Sequence, residues 1–124
     1  MEYLFWLLAG TLYGFTFGII PVAGAATGLI TIFSFLDVFR ADPYTLVIFT
    51  TALVVASTIG DSFSSVVMNI PGASGSAATM VDGFPMAQRG EAGRALSASI
   101  VTSSVNGLIW GVLVFMFLPM YAVL

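Results

Sequence analysis

The residues best suited to chemistry gather around one interruption of the chain. Asn69, Pro71, Gly72, Ser74 and Thr79 fall within a single uncharged stretch, residues 62–81. Proline removes a backbone donor and glycine loosens the backbone, so a continuous helix is not expected through Pro71-Gly72. A helix that restarts after such a break offers free N–H groups and a partial positive charge, which suit a carboxylate. Carbonyls released at the break suit Na⁺. Asn69, Ser74, Ser76 and Thr79 add neutral donors and acceptors, with Ser62 at the approach; Ser76 by itself reads as a helix-packing hydroxyl. Pro21 and Gly24 form a second, earlier break that could face the first.

Catalytic chemistry has no residues to run on. The chain has no His and no Cys, which removes the usual general base, thiolate chemistry and the commonest metal ligands. Asp61 and Asp82 flank the uncharged stretch, and neither stands in a Gly-x-Gly-Asp context of the kind an intramembrane aspartyl protease uses. No catalytic and no metal site is expected. An acidic residue within a membrane segment is a functional candidate by default, so Asp61 is retained as a candidate coupling residue.

The elements that must position these groups follow from the distribution of charge. Of 124 residues, 59% are hydrophobic and 7% charged, with a mean hydropathy of +1.07. Soluble domains carry about 25% charged residues, so a water-covered surface is excluded. A net charge of -3 without a basic face argues against nucleic acid. The expectation is an all-α integral membrane protein, a single transmembrane domain over residues 1–124. A span needs roughly 20 apolar residues. The uncharged run 3–36 would be about 51 Å as one helix, so it must fold back at Pro21 and Gly24. Spans are expected over about 3–20, 25–39 (short or broken), 44–60 and 95–118. Residues 62–81 are read as a re-entrant hairpin that descends over 62–68, has its tip at 69–72 and returns over 73–81. Non-helical backbone at membrane depth is tolerated only inside protein or against a watery cavity. The first apolar run lacks the basic start of a signal peptide and is read as a span.

Asp82-Gly83-Phe84-Pro85 is read as a surface turn leading into a polar loop over 82–94 that contains Gly90. Arg89 and Arg94 place that loop in the cytoplasm by the positive-inside rule, whereas Arg40, between Asp37 and Asp42, falls outside. Gly10, Gly14 and Gly18, like Gly107 and Gly111, lie on one helix face at four-residue spacing, where another helix can approach closely. A partner chain or a second copy is expected to cover the first set.

The order Asn69-Ile70-Pro71-Gly72, Ala77-Ala78-Thr79, Asp82-Gly83-Phe84-Pro85-Met86-Ala87, Gly90 and Ala92-Gly93 with Ala95-Leu96 closely resembles one stretch of the TctA family, the large membrane permease subunits of tripartite tricarboxylate transporters. Gly14, Gly18 and residues 21–28 resemble that family's first Gly/Pro-rich break. The resemblance implies an inverted-repeat permease, of which this chain matches the first part of one half. It implies symport of small di- or tricarboxylates with Na⁺ or H⁺ across the cell inner membrane, and no other cofactor. The implied partners are the carboxylate, the lipid bilayer, the remaining permease chain, a small membrane subunit and a periplasmic solute-binding protein. By carry-over, Asn69, Pro71, Gly72 and Thr79 belong to the hairpin site, Asp82, Gly83 and Pro85 shape its base, and Pro21 and Gly24 form the opposing break. The family usually has Gly where Asp61 stands. The competing reading is a membrane assembly or scaffold subunit that packs through its glycines and transports nothing.

Overall fold

A computed structural model describes residues 2–21, 23–35, 37 and 42–121. Their regular structure is entirely helical: α1 (Glu2–Ile19), α2 (Gly24–Phe33), α3 (Pro43–Met68), a single 3-10 turn (Ser74–Ser76), α4 (Ala77–Gln88) and α5 (Ala92–Tyr121). By length and composition, α3 and α5 can each cross a membrane. At 1.5 Å per residue they are about 39 and 45 Å long.

Each boundary has a local cause. Asp42 caps α3, accepting from the Tyr44 N–H at 3.1 Å and the Thr45 hydroxyl at 3.0 Å, and Pro43 occupies the first helical position, where its missing N–H costs nothing. Asn69 ends α3 in the left-handed conformation, φ 58°, one of the few non-glycine residues that tolerates it. Gly90, φ 82°, ends α4: its N–H reaches the Ala87 carbonyl and the Glu91 N–H reaches that of Met86, both at 2.9 Å. That pair of bonds is a Schellman closure.

The centre of the molecule is a glycine-mediated contact between α1 and α3. A Cβ added at Gly10 would lie 2.5 Å from the Phe49 carbonyl oxygen; one at Gly14 would overlap Leu53 backbone, and one at Gly18 the Ser57 carbonyl. The partners advance in step, so the two helices run in the same direction. Gly60 answers from α3, where a Cβ would lie 2.7 Å from the Phe15 carbonyl oxygen. The glycine face expected to meet a partner chain is therefore covered within the chain itself, by α3. By contrast, nothing lies within 4 Å of a Cβ at Gly107 or Gly111.

Helix α2 runs back along α1, with the Tyr13 hydroxyl donating to Thr31 Oγ1 at 2.8 Å and Gly28 lying against Phe17. Its ten residues cover about 15 Å, half a bilayer core. The expected end of this segment at Phe39, and Arg40 beyond it, lie outside the described residues. Ile32, Phe49 and Leu53 form the buried apolar cluster, with Trp6, Tyr13 and Leu29 packed around it.

Two sequence expectations are corrected. Helix α3 does not stop near Gly60; it continues unbroken to Met68, so Asp61 lies inside a helix rather than at the mouth of a hairpin. Asp82, Gly83 and Pro85 do not form a turn, because all three lie within α4, and the polar connection shrinks to the residues between Gln88 and Ala92. Gly83 is buried there for packing, since a Cβ would lie 2.7 Å from Val66 Cγ2.

Gly14→Leu should destabilise the protein by about 3 kcal/mol or more, because backbone of α3 occupies the space and cannot turn aside. Gly107→Leu should change stability little. Thermal unfolding in detergent, followed by loss of soluble protein, distinguishes the two; equal midpoints would contradict the α1–α3 packing.

Candidate functional site

After Met68 the chain turns back along the last two turns of α3. The Ala73 N–H donates to Asp61 Oδ1 at 3.1 Å, and the Ser76 hydroxyl lies 3.0 Å from the same oxygen. Ser76 Oγ is also 2.8 Å from the Ala73 carbonyl oxygen, so its single proton serves two acceptors. Helix α4 then leaves in the direction of α3's own end, as the pairing of Gly83 with Val66 requires. The part of the reversal that reaches Asp61 is thus Ala73 to Ser76, and not residues 69–72.

Asp61 is 7% exposed. Among the described residues no cation pairs with it. A buried carboxylate is costly unless donors receive it. Here the donors are a backbone N–H, a hydroxyl and the positive end of α4. Ser64 and Ser65 donate to the Asp61 main-chain carbonyl at 3.0 and 2.9 Å, satisfying their own buried hydroxyls.

The two breaks meet at this point. Gly72 sits so close to Asp61 that an added Cβ would overlap the carboxylate, and the Gly18 carbonyl oxygen, in the last turn of α1, is 3.7 Å from that Cβ position. A Cβ at Gly24, φ 54°, would lie 3.5 Å from the Gly72 carbonyl oxygen. Pro21 is half-buried in the turn that leaves α1. The assembled groups are therefore the N-terminal end of α4, the C-terminal end of α1 and one carboxylate. Ser74 and Gly75 are exposed beside this contact, with nothing within 4 Å of a Cβ at Gly75.

The remaining predicted residues are distributed differently. Asn69 is exposed and serves as the cap of α3, about 12 Å along that helix from Asp61. Pro71 is half-buried in the returning strand of chain. Ser62 joins α3 to α5, accepting from the Ser99 hydroxyl at 3.2 Å. Thr79 and Asp82 line a separate groove of about 330 Å³ between α4 and α5, together with Ser99, Thr102 and Ser103. Gly90 is the exposed cap of α4. Ser76, read from the sequence as a helix-packing hydroxyl, instead faces Asp61, and the Ala73 N–H carries no signal in the sequence.

Comparison with known proteins gives two matches. The model of the Tripartite tricarboxylate transporter TctA family matches residues 4–124. An uncharacterized 52.8 kDa protein in the TAR-I ttuC' 3' region of Agrobacterium vitis is 32% identical over 105 residues, 84% of this chain and 20% of that protein. The chain thus spans about a fifth of the length of this relative. No solved structure matches.

The capping geometry separates two roles for Asn69. Asn69→Gly should preserve stability, since glycine accepts the left-handed conformation, whereas Asn69→Ala should cost about 1 kcal/mol. Thermal midpoints of the two variants check this; a glycine variant as unstable as the alanine variant would show that the Asn69 side chain, not its backbone angle, is what matters.

Proposed function

The chain belongs to the tripartite tricarboxylate transporter TctA family, and on that premise we propose that it forms part of a permease that carries small di- or tricarboxylates across the inner membrane. The observation that carries this reading is the meeting of two helix breaks around Gly72. It supports a binding site at the inner end of a re-entrant hairpin, where Ser74, Gly75 and the start of α4 offer N–H and hydroxyl donors to an anion. The end of α1 contributes carbonyls of the opposite polarity, which suit Na⁺ or a protonated carrier. Multiple spans, an inverted second half, a small membrane subunit and a periplasmic solute-binding protein complete the proposed system.

The exposure of Ser74 and Gly75 favours transport over a purely packing role, because a scaffold would gain by filling that space. Thr79, Asp82 and the hydroxyls of the α4–α5 groove are assigned to the substrate's route. A polar groove of this kind is unsuited to lipid.

Gly75→Trp tests the site with little cost to the fold, since its side chain meets open space. In the complete permease with its partner subunits, labelled carboxylate uptake should fall at least about tenfold, the loss of about 1.4 kcal/mol of binding. Gly93→Trp, equally open but at the start of α5, should leave uptake near the parent's. Normal uptake by Gly75→Trp at normal membrane abundance would contradict the proposed site.

A further inference from the structure

A carboxylate already sits on the donors that an anionic substrate would seek. Asp61 Oδ1 receives both the Ala73 N–H and the Ser76 hydroxyl, at 3.1 and 3.0 Å, at the start of the 3-10 turn that leads into α4. We propose that Asp61 is an internal competitor of the substrate, and that its displacement from these donors obliges the protein to take up one monovalent cation, a proton or Na⁺, with each substrate carboxylate. The inference rests on the transport reading above and gives it a coupling mechanism.

Two carboxylates cannot share one N–H and one hydroxyl, and like charges at contact distance beside a buried side chain disfavour each other strongly. When a substrate carboxylate takes the Ala73 N–H, Asp61 keeps its burial and loses its hydrogen bonds. Among the described residues its neighbours offer no positive charge. On α1, Glu2 and Tyr3 lie at the far end and the Tyr13 hydroxyl donates to Thr31; α4 carries Asp82, which lines the groove towards α5; and Arg94 of α5 faces Glu91 at 3.5 Å. The Gly18 carbonyl, across Gly72, adds further negative potential. A proton on Asp61, or Na⁺ held between its carboxylate and such carbonyls, restores the balance. Anion entry and cation entry are then linked, without a preformed cation cage.

Asp61→Asn separates charge from shape. The amide oxygen still accepts from Ala73 and Ser76, while the competing charge is gone. The experiment measures equilibrium binding of a panel of labelled di- and tricarboxylates to the complete permease in detergent. One arm varies pH without Na⁺, over a range in which each acid stays fully ionised; the other varies Na⁺ at fixed pH. The parent should bind its acid about tenfold more tightly for each tenfold rise in the coupling cation below saturation, in one arm or the other, as reciprocal linkage requires. Asp61→Asn should bind with less than about twofold variation in both arms, and should equilibrate substrate without accumulating it against a gradient. The parent alone is already decisive: affinity independent of both pH and Na⁺ overturns the inference while leaving carboxylate transport intact. A cation dependence that persists undiminished in Asp61→Asn overturns it as well. If the parent binds no acid of the panel, the transport reading fails and the inference falls with it.

Discussion

A chain that interrupts its helices in a buried place must find acceptors for the N–H groups it sets free. In this protein that requirement falls on Asp61. Its carboxylate takes the first donors of the returning segment, and its burial is tolerable only because those donors are there. Each side of the contact thus depends on the other. A helix without Asp61 would leave the Ala73 N–H only the long contact to Ser76 Oγ at 3.5 Å, and a loop without Ala73 and Ser76 would leave a charge buried alone.

The position of this contact is set further away, by the glycines of α1 and α3. Gly10, Gly14 and Gly18 let α1 lie on the backbone of α3, and Gly60 receives the end of α1. Because the helices run in the same direction, the last turn of α1 ends against Gly72, and the turn at Pro21 is delivered to the same place as the second break. The glycine stripe therefore packs two helices and also brings two chain breaks together. Helix α5, by contrast, is held only near its start, through Ala95 and the Ser99–Ser62 bond, and is exposed over residues 100–120.

Much of this was legible in the sequence. Pro71-Gly72 marked the second break, Pro21 and Gly24 marked the first, and four-residue glycine spacing marked a close helix contact, since each reflects a local backbone property. The family was legible too, because order and spacing over residues 69–96 carry it. What the sequence concealed was register. Asp61 follows a glycine and precedes a run of serines, which resembles an approach to a hairpin; only the α1 contact and the returning loop show that α3 runs through it. Asp82-Gly83-Phe84-Pro85 has the composition of a turn, yet Val66 needs a glycine opposite it, and that packing keeps the segment helical. Asn69 beside the Pro-Gly break has the chemistry of a ligand at the hairpin tip, whereas its backbone angle gives it a capping role at the end of α3. These are consequences of which elements meet, and no window along one chain contains them.

The central claim is that an unbroken α3 presents Asp61 to the returning loop. An experimental structure of the complete permease in lipid, prepared in carboxylate-free buffer, tests it most directly. The distance from Asp61 Oδ1 to the Ala73 nitrogen should be within hydrogen-bond reach, near the 3.1 Å found here, with Gly72 between Asp61 and the end of α1. An α3 that breaks before Asp61, or an Asp61 turned away from residues 73–76 with those donors paired elsewhere, would contradict the account.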